Sequence, residues 1–187
     1  DFEFDPRTLA ARPPEPLPVG PAASCEVVVV VGAPGSGKSS LHRRAFGSYV
    51  RVNRDTLKTA DKCLKLCVES LAAGRAVFVD NQSKGAADRA PYVAAARKAG
   101  VPCRAIRIDV PKAFCFHCNE YRALNAASAE HRGAERVPPL VIHSFYKSVG
   151  EPTASEGFDE VVTLGLQHFS LDGCPEADRK LMTSFLV

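Results

Sequence analysis

Eight residues after a valine-rich run have the composition of a phosphate-binding loop. The string Gly32-Ala-Pro-Gly-Ser-Gly-Lys-Ser39 has the spacing of glycine, lysine and serine that binds nucleotide phosphates in many enzymes. Its glycines let the backbone turn so that N–H groups converge on phosphate oxygens, and the helix predicted to follow adds positive potential. We therefore expect ATP to bind here, with Lys38 near the β- and γ-phosphates and Ser39 as a ligand of Mg²⁺. The predicted contacts are Gly32, Gly35, Ser36, Gly37, Lys38, Ser39 and Ser40.

Asp55 is the candidate general base of a phosphoryl transfer. It follows the β-prone segment Tyr49–Asn53, so its carboxylate is expected at the edge of a sheet, facing an acceptor hydroxyl. Arg54 precedes it and is a candidate substrate contact. The alternative is that Asp55 caps the helix that follows, because Asp is a favoured N-cap residue.

Asp80 and Asn81 follow a third apolar run, Ala76–Val79. An acid at this point of a nucleotide-binding sheet holds Mg²⁺ directly or through water, so we expect Asp80 to contact the metal or the substrate. Asn81 is a candidate substrate contact. The alternative is that both residues form a turn that ends the strand.

Arginines are candidates for the cation that covers the transferred phosphate, because guanidinium groups match phosphate geometry and keep their charge. Arg122 lies in a predicted helix, and Arg132 and Arg136 follow it. Arg89, in the helix after Asp80, is a candidate substrate contact. The alternative for each of them is an ordinary surface arginine.

These residues require a fold that brings strand ends together. Apolar runs alternate with segments of helical periodicity and with glycine terminators, which predicts an α/β fold with a central parallel sheet. Five consecutive valines, Val27–Val31, are typical of a strand covered on both faces. The predicted strands are 26–31, 49–53, 76–79, 103–108 and 161–164, and the predicted helices are 38–46, 56–73, 85–99, 112–127 and 140–149.

Composition narrows the class of protein. The 187 residues suit one domain, and a net charge of +3 does not by itself indicate a nucleic-acid binder. The segment Lys38–Lys58 is locally basic. This is typical of a site that binds a phosphate-rich partner, and the alternative is an ordinary solvated helix face. Seven cysteines without small-scaffold spacing indicate a reducing, intracellular compartment. No apolar run approaches a membrane span, so we expect a soluble protein without membrane association.

The first residues are rich in proline and begin without methionine. This composition predicts a linker or tail at residues 1–24, taken from a longer protein, and a catalytic domain at residues 25–187.

The chain resembles the kinase domain of the bifunctional polynucleotide phosphatase/kinase family. The resemblance covers most of residues 4–165 and is most specific in the string Val52-Asn-Arg-Asp-Thr-Leu57. The other matching strings are Phe4-Asp-Pro-Arg-Thr8, Gly32-Ala-Pro-Gly-Ser-Gly-Lys-Ser39, Val79-Asp-Asn81, Ala87-Asp-Arg-Ala-Pro-Tyr-Val93, Ala99-Gly-Val-Pro-Cys-Arg104, His117-Cys-Asn-Glu-Tyr-Arg122 and Glu151-Pro-Thr-Ala-Ser-Glu-Gly-Phe158.

The resemblance implies a P-loop kinase fold with a helical lid and ATP-dependent phosphorylation of a nucleic-acid 5′-hydroxyl, of DNA or RNA, in strand-break repair. It makes Asp55 the general base, Lys38 the group that stabilises the γ-phosphate, Ser39 a Mg²⁺ ligand and Arg122 part of the lid. It also implies a monomer, a nuclear or mitochondrial location and an upstream phosphatase domain. This chain lacks the Asp-x-Asp-Gly-Thr phosphatase motif, so we expect kinase activity alone.

Two other functions fit the same phosphate site. A kinase of a sugar or nucleoside hydroxyl would share every residue of the donor half. A non-catalytic nucleotide-binding module would share the loop alone. A GTP-dependent switch is disfavoured, because the base-reading string Asn-Lys-x-Asp is absent from the sequence.

Overall fold

A five-stranded parallel sheet forms the centre of the protein. The computed structural model describes residues 4–11, 13–126 and 135–186. Along the sheet the strand order is β2-β3-β1-β4-β5, and every neighbouring pair is parallel. The predicted α/β fold is therefore confirmed. The strands are β1 Val27–Val31, β2 Val50–Val52, β3 Val77–Val79, β4 Cys103–Ile108 and β5 Glu160–Leu164.

Helices cover both faces of the sheet and the region beyond its carboxyl edge. All five valines of β1 are fully buried, as expected for a central strand between two helical layers. The α-helices of the described residues are α1 Thr8–Ala11, α2 Lys38–Ala45, α3 Arg54–Leu57, α4 Ala60–Ala72, α5 Ala86–Ala99, α6 Lys112–Leu124, α7 Pro139–Ser148 and α8 Glu176–Met182. Within the same part of the chain, no helix has both the length and the apolar character to cross a membrane.

Alternate valines of β1 face different layers. Val27 and Val29 pack with residues of α4 and α5, whereas Val28 and Val30 pack with residues of α2. A third cluster joins Val31 to α6, α7 and α8. The sheet is thus held from both faces, and a helical group lies next to the loop that follows β1.

The register of the sheet brings two polar residues to the same level. Val52 of β2 pairs with Val79 of β3, and Val79 pairs with Val29 of β1. Since these pairs are parallel, Asn53 and Asp80 leave the sheet side by side, close to the start of the phosphate-binding loop.

One long predicted helix is two helices in the structure. The segment 56–73 was expected to be continuous, but α3 ends at Leu57 and α4 begins at Ala60. Lys58 between them has a φ of 73°, in the left-handed region that interrupts a helix. Thr59 then caps α4, because its Oγ1 accepts a hydrogen bond from the backbone N–H of Lys62 at 3.2 Å.

The proline-rich N-terminal segment contributes side chains to the core. Phe4 and Leu9 are buried in the cluster formed by α6, α7 and α8. The ring of Phe4 packs edge-on against Phe114, with 5.2 Å between the ring centroids. The expected domain boundary at residue 25 stays a prediction. The segment before it, which was predicted to be a linker, nevertheless contributes Phe4 and Leu9 to the hydrophobic core.

We expect Phe4→Ala to lower the free energy of unfolding by about 3 kcal/mol, because it removes a buried aromatic ring and leaves a cavity beside α6. Urea unfolding followed by circular dichroism measures the change. Leu124→Ala is the control, since Leu124 is 55% exposed. Equal stability of Phe4→Ala and the parent chain would show that the ring of Phe4 adds nothing to the stability of the fold.

Candidate active site

A cleft of about 1280 Å³ opens at the carboxyl edge of the sheet. This is where parallel α/β sheets bind ligands. Among the described residues, the predicted site residues that do not line this cleft are Gly32, Arg89 and Arg136. The predicted residues that line it are Gly35, Ser36, Gly37, Lys38, Ser39, Ser40, Arg54, Asp55, Asp80, Asn81 and Arg122.

The glycines of the loop are required by close approach and by backbone conformation. Gly35 has a φ of 80°, and a Cβ atom added there would lie 2.5 Å from the carbonyl oxygen of Cys115. A Cβ atom on Gly32 would lie 2.6 Å from the Oγ of Ser36. Gly37 is the N-cap of α2, with a φ of 96° and no side-chain cap from any described residue. The first N–H groups of α2 are therefore available to an anion.

Lys38 folds back on the loop that carries it. Its Nζ donates hydrogen bonds to the carbonyl oxygens of Gly32, at 3.0 Å, and Ala33, at 2.7 Å. Desolvation lowers the pKa of Lys38, and the nearby Asp80 carboxylate opposes that shift. The ammonium group therefore lies beside the position that phosphates would occupy. When a phosphate binds, Lys38 can exchange its hydrogen bonds to two neutral carbonyls for stronger ones to a charged oxygen.

Ser39 and Asp80 meet at the metal site that the sequence predicts. The Oγ of Ser39 donates to Oδ2 of Asp80 at 2.7 Å, and Asp80 is 2% exposed. A hydroxyl and a carboxylate are oxygen ligands of the kind Mg²⁺ prefers, and its other ligands are commonly water and substrate phosphates. The residues present therefore fit a Mg²⁺ ion held together with a nucleotide.

Arg51 is a site residue that the sequence reasoning missed. Its Nε donates to Oδ2 of Asp80 at 2.6 Å, and its Nη2 donates to Oγ of Ser39 at 2.9 Å. The sequence showed only that Arg51 lies in the basic segment Lys38–Lys58. Its position between two valines of a short strand gave no indication of which side chain it would contact.

The residue that caps α3 is Asn53 and not Asp55. The Oδ1 of Asn53 accepts from the backbone N–H of Thr56 at 3.1 Å, so Asn53 is the N-cap of α3. Its Nδ2 donates to the carbonyl oxygen of Asp80 at 2.7 Å, which ties the ends of β2 and β3 together. Asp55 is therefore not the cap. Its carboxylate is exposed in the cleft, and no described residue forms a hydrogen bond or ion pair with it.

Arg54 and Asn81 are linked across the same strand ends. The Oδ1 of Asn81 accepts from the backbone N–H of Arg54 at 2.8 Å. Arg54 is exposed, so its guanidinium group is accessible to a ligand in the cleft.

Arg122 reaches the cleft from the last turn of α6. Its charge is one of the influences that lower the pKa of Lys38, after desolvation, so the two cations face the same space. Arg136 instead forms an ion pair with Glu120, with 2.8 Å between Nε and Oε2. Arg132 lies outside the described residues.

The C-terminal segment, which the sequence left unassigned, borders the cleft on the side of α2. Residues 168–175 line it, and Nη1 of Arg44 donates to the carbonyl oxygen of Ser170 at 3.1 Å.

The prediction that Arg89 contacts the substrate is wrong. Arg89 is 1% exposed and does not line the cleft. Its Nε and Nη2 each donate to the carboxylate of Glu156 at 2.7 Å, and its Nη1 donates to the carbonyl oxygens of Ser83 and Gly150. Its Nη2 also donates to the carbonyl oxygen of Glu151 at 3.5 Å. The guanidinium group therefore links α5 to the segment before β5, and these five contacts use all five of its N–H donors.

Comparisons with known proteins show which proteins this chain is similar to. A family model described as AAA domain matches residues 57–138. A bifunctional polynucleotide phosphatase/kinase of Schizosaccharomyces pombe is 33% identical over 138 residues, which are 73% of this chain and 32% of that protein. The chain is a P-loop kinase. A putative bifunctional polynucleotide phosphatase/kinase of Acanthamoeba polyphaga mimivirus is 28% identical over 86% of this kinase and 37% of its own length.

The kinase spans about a third of the length of these relatives. The resemblance to the bifunctional polynucleotide phosphatase/kinases that the sequence motifs indicated is confirmed. Among solved structures, a putative kinase from Chloroflexus aurantiacus has a TM-score of 0.57 and 14% identity, covering 78% of this kinase and 88% of that chain. This likeness supports the fold.

We expect Glu156→Gln to lower the free energy of unfolding by about 3 kcal/mol near neutral pH, because it leaves Arg89 buried without its carboxylate. The hydrogen bonds from Arg89 lower the pKa of Glu156 in the folded protein. The stabilisation is therefore complete above the ordinary value of 4.5 and is lost as the pH falls through the lowered pKa.

Chemical unfolding of this variant and the parent kinase across acidic pH tests the assignment. Glu69→Gln is the control, because Glu69 is 60% exposed in its pairing with Lys65. A stability difference that stays constant as the pH falls would contradict the role of the Arg89–Glu156 pair.

Proposed function

We propose that this kinase transfers the γ-phosphate of ATP to the 5′-hydroxyl end of DNA, with Asp55 as the general base. The observation that carries the proposal is the position of Asp55. Its exposed carboxylate shares one cleft with Lys38 and Ser39, and no described residue engages it. An uncommitted carboxylate opposite a phosphate site is what a kinase needs to take the proton of an attacking hydroxyl.

The donor half of the reaction is assigned to the loop and its neighbours. The N–H groups of the loop and of α2 bind phosphate oxygens, and Lys38 leaves its two carbonyl partners to stabilise the γ-phosphate. Ser39 and Asp80 hold Mg²⁺, which when bound neutralises charge on the phosphates. Arg122, at the rim of the same space, stabilises charge on the transferred group.

The acceptor half is assigned to the end of β2. Asp55 accepts the proton of the 5′-hydroxyl, while the exposed Arg54 beside it is placed to pair with a backbone phosphate of the nucleic acid. Asn81 supports this half because its Oδ1 accepts a hydrogen bond from the backbone N–H of Arg54. Arg43 and Arg44 also line the cleft, so its charge suits a polyanionic acceptor.

The names and lengths of the relatives support a wider proposal. Both are called bifunctional phosphatase/kinases, and this chain matches about a third of each. We propose that the kinase acts as a monomer joined to an upstream phosphatase domain and processes strand ends during DNA repair, in the nucleus or the mitochondrion.

Asp55→Asn is expected to lower the turnover number for a 5′-hydroxyl oligonucleotide by about 10²–10⁴-fold, because the amide cannot accept the proton of the attacking hydroxyl. ATP affinity, measured by calorimetry, should stay within a few-fold of the parent kinase, since Asp55 does not hold the phosphate loop.

Asp61→Asn is the matched control, because Asp61 is an exposed carboxylate that lines the same cleft. Its turnover number should remain close to that of the parent kinase. Near-normal transfer by Asp55→Asn would remove Asp55 from the mechanism.

An acceptor assay distinguishes polynucleotide from small-molecule phosphorylation. We expect transfer from radiolabelled ATP to a 5′-hydroxyl DNA oligonucleotide, at a rate that falls steeply between low and moderate salt because phosphate contacts release counterions. The same assay with RNA ranks the two nucleic acids. Phosphorylation of a sugar or nucleoside in the absence of any transfer to oligonucleotides would overturn the proposed acceptor.

A further inference from the structure

The guanidinium group of Arg51 lies between the two side chains assigned to Mg²⁺. It donates through Nε to Oδ2 of Asp80 at 2.6 Å and through Nη2 to Oγ of Ser39 at 2.9 Å. The same carboxylate oxygen accepts the hydroxyl of Ser39 at 2.7 Å. A side-chain cation thus already engages the oxygens that a divalent cation would take.

Burial makes this pairing asymmetric. The side chain of Asp80 is 2% exposed, whereas that of Arg51 is 37% exposed. A buried carboxylate is stable in its charged form only with a partner, and Asp80 is fixed at the end of β3. Arg51 is long and reaches the site from the solvent side, so it is the member of the pair that can leave.

The protein offers a metal few other ligands. Within the described ranges no cluster of three or more His, Cys, Asp and Glu side chains is suited to hold a metal ion. Mg²⁺ therefore has Ser39 and Asp80 from the protein and depends on water and nucleotide phosphates for the rest of its shell. A metal held by so few protein ligands is sensitive to competition from a cation already paired with one of them.

We propose that Arg51 is a resident counter-cation of Asp80 that competes with Mg²⁺, so that the metal binds this kinase effectively only together with a nucleotide. The inference rests on the proposed Mg²⁺ site. Arg51 acts through Asp80 and Ser39 and is therefore a positioning residue. It stabilises the empty site and opposes Mg²⁺ binding, and this cost is overcome when nucleotide phosphates supply further ligands to the metal.

Thermal unfolding with and without millimolar Mg²⁺, in the absence of nucleotide, tests the competition. The parent kinase should show almost no response to Mg²⁺. In EDTA the melting temperature of Arg51→Met should be lower than that of the parent by about 3–6 °C, because Asp80 loses its counter-cation. Mg²⁺ should recover much of that loss, and calorimetry should give an affinity for Mg²⁺ alone that is about tenfold or more above the parent value.

Arg43→Met is the matched control. It removes one positive charge from the same cleft, but Arg43 donates to Ser40 and not to Asp80. Its response to Mg²⁺ should equal that of the parent kinase. A response as large as that of Arg51→Met would assign the effect to the overall charge of the cleft and overturn the proposal.

Arg51→Lys keeps the test decisive if the Met variant does not fold. Lysine retains the charge but loses the planar fork that engages Asp80 and Ser39 together, so its response to Mg²⁺ should exceed that of the parent. A response no larger than the parent's, in whichever variant folds, would overturn the competition.

Nucleotide binding separates this inference from the proposed function. Calorimetric titration of the parent kinase with ADP, with and without Mg²⁺, measures the metal site independently of Arg51. If Mg²⁺ does not strengthen ADP binding, the proposed metal site fails. If it does and the Arg51 variants respond like the parent, the competition alone is wrong.

Discussion

The buried end of β3 joins the two halves of the cleft. The carboxylate of Asp80 accepts hydrogen bonds from Ser39 at the start of α2 and from Arg51 of β2. Its backbone carbonyl accepts a third from the side chain of Asn53. Because these bonds come from the donor and acceptor sides of the cleft, the distance between the two sides depends on one buried residue.

The phosphate-binding loop depends on a second contact, made by α6. Gly35 approaches the carbonyl oxygen of Cys115 so closely that a side chain would not fit between them. This places α6 against the loop, and Arg122 in its last turn consequently reaches the rim of the cleft. Loop shape and arginine position thus share one cause, the packing of α6 beyond the carboxyl edge of the sheet.

Regular elements were predictable where local pattern and burial agree. Val27–Val31 could be recognised as a central strand because a run of valines is stable only when both faces are covered. The helix 56–73 was predicted without its break, because apolar periodicity continues across Lys58 while the backbone there does not. The N-terminal proline-rich segment was misleading for a related reason, since composition does not show that Phe4 finds a buried place among distant helices.

The sequence by itself determined the phosphate loop, the parallel sheet and the candidate acids at the ends of its strands, because each depends on residues that are neighbours in the chain. Tertiary structure alone decided the roles of the long cations. Arg51 pairs with Asp80, 29 residues away, and lines the cleft. Arg89 pairs with Glu156, 67 residues away, and lies outside the cleft. A guanidinium group pairs with whichever carboxylate the fold brings near it, and the residues next to an arginine in the sequence do not show which carboxylate that will be.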